Sequence, residues 1–270
     1  PKNTTATVRS RDYVGFTEPT GYKFLGWATT PNGNVEYQPN TKVFVDATGD
    51  NNLYAVWQVK TYTVKWVDDD GTTLIYQKDY EYGAMPQFEG VEPTKAADAQ
   101  YTYTFKGWNK DYTEVKGNQT YVAVYDKAVN KYTVTWKNDD GSVLDTEEYE
   151  YNAVPSYKNG TPTKAGNAQY SYKFTGWNPL ISPVTGDVTY KAQFEAVTNK
   201  YTVTWVNWDN KELEKDEDVP YGADPEYDGD TPTKAADAQY SYKFTGWDPA
   251  VYPVTGDVTY KAQFEAVTNK

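Results

Sequence analysis

Large apolar and small polar residues alternate along several short segments of this chain, as in half-buried β-strands. Residues 132–136 read Tyr-Thr-Val-Thr-Trp, and residues 170–174 read Tyr-Ser-Tyr-Lys-Phe. The stretches between such segments are rich in Asn, Asp, Gly and Pro, which favour turns. No segment carries a sustained apolar stripe with a period of 3.6 residues, so we expect no long helix. The pattern predicts a mainly β protein built from short strands.

These strand patterns recur about every 70 residues, which is typical of a tandem array of small modules. An opening strand with the pattern Tyr-Thr-Val-x-Trp ends at Trp66, Trp136 and Trp205. A second landmark, Tyr-x-Tyr-x-Phe-x-Gly-Trp, ends at Trp108, Trp177 and Trp247. A third, Thr-Tyr-x-Ala, is centred on Tyr121, Tyr190 and Tyr260. Residues 161–200 and 231–270 differ at only six positions, which indicates recent duplication.

We therefore predict four modules, over residues 1–58, 59–127, 128–197 and 198–270. The first is divergent, because too few residues precede Gly21 for the two strands that begin the other modules. It is either truncated or completed by its neighbour. Residues 266–270 copy residues 196–200, which lead straight into an opening strand, so we expect the fourth module to end in the linker to a further repeat.

Within the third module the pattern predicts four strands, at residues 132–136, 143–151, 170–174 and 189–194. Residues 161–165 read Thr-Pro-Thr-Lys-Ala, with proline where the first turn of a helix accepts it, so one helical turn is expected there. The predicted fold class is thus mainly β, with small α+β modules.

Recurring aromatic side chains are the candidate core, since a module of about 70 residues is close to the lower size limit for an independent core. The predicted core residues are Trp27, Trp66, Phe105, Trp108, Trp136, Phe174, Trp177, Trp205, Phe244 and Trp247. The alternative is that some of these rings form exposed platforms for carbohydrate. Their alternation in phase with the strands favours the core.

Two aromatic residues of the fourth module have no counterpart in its sister modules and are candidates for surface binding. Trp208 and Tyr252 stand where the third module has Asp139 and Ser182. The alternative for both is sequence drift at an exposed turn. Lysine recurs at one module position, as Lys95, Lys164 and Lys234, where it forms either a covalent cross-link to Asn or Asp or an ordinary exposed side chain.

The amino-acid composition argues against several classes of function. The chain has no Cys and no His, so it lacks a thiolate nucleophile, an imidazole base and a Cys/His zinc site. A net charge of −12 without basic runs argues against nucleic-acid binding, and no apolar run is long enough to span a membrane. Residues 68–71 read Asp-Asp-Asp-Gly, but they lack the later Glu of a calcium loop, and a turn explains them. We expect no cofactor, no metal and no enzymatic activity.

The first module resembles a known family at its second and third landmarks. Residues 21–27 read Gly-Tyr-Lys-Phe-Leu-Gly-Trp and residues 53–57 read Leu-Tyr-Ala-Val-Trp. This pattern resembles the Listeria–Bacteroides repeat, the internalin-B-type B-repeat, and the later modules resemble it more loosely. The resemblance implies a β-grasp-like module with a hairpin, a short helix or turn and two further strands. It also implies a secreted, cell-wall-attached parent of Gram-positive type. An immunoglobulin-like β-sandwich is the alternative fold.

The function expected from these features is that of a non-enzymatic spacer or stalk in a bacterial surface protein or adhesin. In a β-grasp order the first and last strands are parallel neighbours, so each module passes the chain from one end to the other and adds about 25–40 Å to an elongated array. The alternative function is a multivalent array that binds a host glycan or surface protein. Apart from such a ligand, the expected partners of each module are the neighbouring repeats of the same chain. The chain is expected to be a monomer.

Overall fold

The computed structural model describes residues 4–46 and 48–270. These residues form two compact units, with the boundary between Val129 and Asn130. Every regular element in the described residues is a β-strand. The prediction of a mainly β chain with small consecutive sheets is confirmed.

The described residues of the first unit contain eight strands in three sheets. The strands are β1 (Thr4–Thr7), β2 (Tyr22–Ala28), β3 (Lys42–Val45), β4 (Tyr54–Val59), β5 (Thr61–Val67), β6 (Leu74–Glu81), β7 (Tyr101–Trp108) and β8 (Gln119–Val129). Strands β1 and β3 form one antiparallel pair, and β2 and β4 form another. The remaining four make a sheet with the order β6-β5-β8-β7.

The second unit contains two four-stranded sheets of the same design. Its strands are β9 (Lys131–Lys137), β10 (Val143–Glu150), β11 (Tyr170–Asn178), β12 (Val188–Thr198), β13 (Lys200–Val206), β14 (Glu212–Pro220), β15 (Tyr240–Asp248) and β16 (Val258–Thr268). The sheet orders are β10-β9-β12-β11 and β14-β13-β16-β15.

Each four-stranded sheet has its opening strand (β5, β9 or β13) beside its closing strand (β8, β12 or β16), and the two run parallel. In the third module Val134 is paired with Val188 and Trp136 with Tyr190. The chain therefore enters the sheet at one end and leaves it at the other. Each closing strand has 11 residues and continues well beyond the end of its opening strand.

The Phe-x-Gly-Trp landmark is a β-bulge. The register between β11 and β12 shifts by one residue between Phe174 and Gly176, and Gly176 has a φ of 144°. Residues three apart in a regular strand point to opposite faces, but the extra residue turns Trp177 to the same face as Phe174. Their rings meet edge to face with centroids 5.4 Å apart. The same shift occurs in β2, β7 and β15.

One face of each four-stranded sheet carries the core. The buried side chains that form the core cluster of the third module are Val134, Trp136, Val184 and Tyr190. The Trp136 and Tyr190 rings stack at 4.8 Å, and Trp177 meets Trp136 edge to face at 4.7 Å. Equivalent clusters contain Trp66 with Tyr121 and Trp205 with Tyr260.

The predicted helical turn at residues 161–165, and with it the α+β character of the modules, is wrong. The structure has no helix in the described residues, and this segment is irregular. The carbonyl of Thr163, which would accept a bond within a helix, instead accepts one from the Asn138 side-chain amide at 3.0 Å. The carbonyl of Thr233 accepts the same bond from Asn207. Tertiary contacts with the opening hairpin therefore satisfy the backbone without a helix.

Candidate functional site at the module junctions

A single residue, Asn199, separates the closing strand of the third module from the opening strand of the fourth. Its backbone N–H donates to the carbonyl of Gln169 in the third module at 2.8 Å. Its carbonyl accepts the N–H of Tyr221 in the fourth module at 2.9 Å. The connection is therefore hydrogen-bonded to both modules.

Side chains reinforce this junction. The Asn199 amide donates to the carbonyls of Asn167 at 2.7 Å and Ala168 at 3.1 Å. The Tyr201 hydroxyl of the fourth module also donates to the Ala168 carbonyl, at 2.6 Å. The loop before β11 is thus held by donors from both the connecting residue and the next module.

The junction between the first and second modules repeats the backbone arrangement with a different residue. Lys60 donates its N–H to the Gly21 carbonyl at 2.7 Å and accepts the N–H of Tyr82 at 2.8 Å. A Cβ at Gly21 would lie 2.1 Å from the Tyr82 ring, so only glycine allows this approach. The Gly21 φ of 83° adds a second reason for glycine.

Replacement of Asn199 with alanine is expected to weaken the coupling between the third and fourth modules by about 1 kcal/mol, since two hydrogen bonds to loop carbonyls are lost. Hydrogen exchange at the amides of Asn199 and Tyr221 should accelerate, as measured by NMR. Asn269 donates its backbone N–H to the Gln239 carbonyl and its side-chain amide to the Asp237 carbonyl, and no strand follows it among the described residues. Asn269→Ala is the control and should leave the Tyr221 amide unchanged. Equal acceleration in both variants would contradict inter-module coupling.

The recurring lysine lies over aromatic rings in every four-stranded module. Lys95 forms an ion pair with Asp69, and Lys164 forms one with Asp139. These hydrogen bonds to carboxylates raise the pKa of both ammonium groups. The ammonium groups are therefore held charged, which is the opposite of what amide formation requires.

Trp208 takes the place of that carboxylate in the fourth module. The Lys234 ammonium lies 5.0 Å from the Trp208 ring and 3.9 Å from the Tyr242 ring. Trp208 is 43% exposed. A cation–π contact thus replaces the ion pair of the sister modules, and one face of the candidate binding residue is already occupied by lysine.

Tyr252 lies beside the core tyrosine of its module. Its backbone N–H and carbonyl bond the Tyr260 hydroxyl at 3.3 and 3.2 Å. Ser182 bonds Tyr190 in the same way in the third module, at 3.4 Å for both contacts. The backbone at this position therefore bonds the hydroxyl of the core tyrosine whether the residue is serine or tyrosine. The half-exposed ring of Tyr252 is not needed for these two bonds.

The predicted core residues fall into two groups that differ in burial. Trp66, Trp136 and Trp205 are fully buried and Trp27 is nearly so. The others, Phe105, Trp108, Phe174, Trp177, Phe244 and Trp247, are half-buried. Sequence reasoning missed the fully buried valines Val115, Val184 and Val254, which precede the closing strands. The repeated Pro-Val-Thr-Gly-Asp segment at 183–187 and 253–257 is the signal that could have found them.

The acidic turn of the second module is a set of separate protein contacts. Asp70 accepts bonds from the backbone of Thr72 and from Thr73, and these contacts lower its pKa. Asp69 pairs with Lys95, and Asp68 accepts the Tyr125 hydroxyl at 2.9 Å. Within residues 4–46 and 48–270, no three acidic side chains are grouped to hold a metal ion. The same residues include no helix that could span a membrane.

Residues 4–56 match the family model of the Listeria-Bacteroides repeat domain, which confirms the resemblance for this segment. Two relatives from Evansella cellulosilytica are named "Putative Gly-rich membrane protein" and "Putative membrane protein". They are 27% and 28% identical to this chain over 68% and 57% of its length. The matched regions span 22% and 24% of those proteins, so the chain corresponds to under a quarter of either.

A solved structure is also similar, that of SHIRT (Streptococcal High Identity Repeats in Tandem) domains 3-4 from a cell surface protein. It is 13% identical, covers 51% of this chain and 99% of its own, and has a TM-score of 0.25.

Proposed function

We propose that this chain is a non-enzymatic spacer in a secreted bacterial surface protein, with modules linked in series that project a distal domain. The observation that carries the proposal is the one-residue junction at Asn199, bonded backward and forward. A flexible linker would let neighbouring modules fold back on each other, whereas a bonded junction opposes this. Contacts between adjacent repeats alone are the basis of extended repeat proteins.

The order of strands supports a β-grasp-like fold without the helix. The opening and closing strands are central and parallel, and the two remaining strands lie outside them. An immunoglobulin-like sandwich instead packs two antiparallel sheets face to face. The core of the third module is covered by irregular segments, in which Val184 donates its N–H to Ala153 and accepts one from Asn152.

The strand register sets the reach of one module. In the third module Val188 lies beside Val134, so the chain advances along β9 to that point and then along β12 to Thr198. At about 3.3 Å per residue this path is about 40 Å long. This length lies at the upper end of the range of about 25–40 Å per module that the sequence predicts, because the closing strand is long.

The charge of the chain suits a surface location. A net charge of −12 opposes self-association and adsorption to an anionic cell wall. The bacterial relatives named as membrane proteins and the family match of residues 4–56 support the same location. We propose attachment to the cell wall through parts of the parent protein outside this chain.

A deletion tests the spacer. Removal of residues 131–199 joins Asn130 to Lys200 and restores an Asn-Lys junction. We expect the maximum dimension in small-angle X-ray scattering to fall by about 40 Å, one module's advance. The full chain is the reference, and circular dichroism should show that the remaining sheets are folded. A maximum dimension that stays the same would rule out modules arranged in series.

A further inference from the structure

The opening and closing strands of each four-stranded module carry the two ends of that module. In the third module the chain enters at Lys131, at the start of β9, and leaves at Thr198, at the end of β12. The two strands are parallel neighbours over four residue pairs, of which the first is Val134 with Val188. A pull on the two ends of the module therefore acts along both strands and slides them past each other.

Sliding in this direction loads the contacts between the two strands at the same time. The four pairs must fail together within about 3.3 Å of sliding, the rise of one residue. In an antiparallel hairpin that is pulled at its open end, one pair fails at a time, and each failure releases about 7 Å, one residue from each strand. The work needed per ångström of extension is therefore several times larger when the strands slide.

Buried side chains also join the two strands. Trp136 and Tyr190 are paired across them, are both fully buried and stack at 4.8 Å. The equivalent rings stack at 5.7 Å in the second module and at 4.7 Å in the fourth. Sliding must therefore separate these rings together with the backbone bonds.

A side-chain acceptor adds a further bond next to the first backbone pair. The Thr133 N–H donates to the Asp187 carboxylate at 2.7 Å, one residue before that pair. In the fourth module Thr202 donates to Asp257 at 2.8 Å, and in the second module Asn118 accepts the equivalent bond at 2.9 Å. This bond is therefore the first contact with the closing strand to be loaded when the start of the opening strand is pulled.

We propose that the paired opening and closing strands of each four-stranded module form a shear clamp, which lets the chain bear tensile load between an anchored end and a held distal domain. In the third module the clamp consists of residues 133–137 and 187–191. The outer strands β10 and β11 contain neither end of the module and take no direct load. The inference rests on the proposed spacer function, because a spacer attached at both ends is pulled in this direction.

Single-molecule force spectroscopy on the full chain tests the direction of the clamp. The chain has no cysteine, so introduced cysteines can define the two points of attachment. Lys131→Cys with Thr198→Cys pulls the third module in shear. Lys131→Cys with Glu150→Cys pulls two paired residues apart and opens the β9–β10 hairpin from its end. All three positions are exposed, so both variants should fold.

At one loading rate we expect the unfolding force in shear to be at least about threefold higher than in the hairpin geometry, because more contacts fail per ångström of extension. The shear event should lengthen the chain by about 210 Å, since about 70 residues extend at about 3.6 Å each from a folded path of about 40 Å. Equal forces in the two directions, or a much shorter step in shear, would overturn the proposal.

Substitutions of Asp187 separate load-bearing from ordinary stability. Asp187→Ala removes one of about five contacts that are loaded together, so the shear force should fall by about one fifth. Asp187→Asn should keep most of the force, because Asn118 accepts the equivalent bond in the second module. Gly176→Ala is the control, because it strains the β11–β12 bulge outside the clamp and should lower the free energy of unfolding without a comparable loss of force.

A loss of force in Gly176→Ala as large as that in Asp187→Ala would show that overall stability sets the force, and the clamp would then be rejected. If Asp187→Ala does not fold, the comparison of the two pulling directions decides. Failure of the clamp is distinguishable from failure of the spacer. Equal forces together with a shorter deletion variant would reject the clamp alone, whereas unequal forces with an unchanged maximum dimension would reject the spacer alone.

Discussion

Trp136→Ala is expected to destabilise the third module by about 3–5 kcal/mol, the usual cost of removing a buried indole. Trp136 is fully buried and contacts Tyr157, Trp177 and Tyr190. A module of about 70 residues has a total free energy of unfolding of about 4–10 kcal/mol, so this change removes much of it. Chemical denaturation monitored by near-ultraviolet circular dichroism should show that one module unfolds at a lower denaturant concentration than the others.

Trp208→Ala is the matched control for this prediction. It also removes an indole, but Trp208 is 43% exposed and contacts Lys234 across its face. We expect a loss of less than about 1 kcal/mol from the cation–π contact. A loss as large as that of Trp136→Ala would show that burial does not set the contribution of these tryptophans.

Gly176→Ala is expected to cost about 1–3 kcal/mol, because a φ of 144° is strained for any residue with a Cβ. A Cβ added at Gly176 would meet no atom of a more distant residue within 4 Å, so the cost comes from the local backbone conformation and not from packing against other segments. If the bulge is lost, Phe174 and Trp177 can no longer share a face. Equilibrium unfolding in urea measures the change in the free energy of unfolding.

Gly186→Ala provides the control in the same module. A Cβ at Gly186 also meets open space, and its φ lies outside the range that favours glycine. We expect a change within about 0.5 kcal/mol, or a slight stabilisation from the reduced freedom of the unfolded chain. Similar losses for both variants would show that glycine at the bulge is not required for its backbone conformation.

Strand positions were predictable because alternation and turn residues are local signals. The predicted strand at residues 132–136 lies within β9, and that at 170–174 lies within β11. The parallel pairing of opening and closing strands followed from the family resemblance rather than from the pattern itself. The length of β12, which continues to Thr198, depends on its pairing with β11 and has no local marker.

The core was only partly predictable. Trp66, Trp136 and Trp205 are buried as their alternation suggests. Phe174 and Trp177 are three residues apart, and alternation alone would place them on opposite faces. The bulge at Gly176 reverses this. Val184 was missed because it lies in an irregular segment whose burial depends on hydrogen bonds to residues 152 and 153.

The sequence by itself determined the repeat period, the positions of most strands and the aromatic residues available for a core, because periodicity and turn chemistry act over a few residues. Only the tertiary structure decided that residues 161–165 form no helix, that Trp208 carries a lysine on its face and that Asn199 bonds to two modules. Each of these features depends on contacts between residues distant in sequence, and such contacts produce no periodic pattern in the sequence.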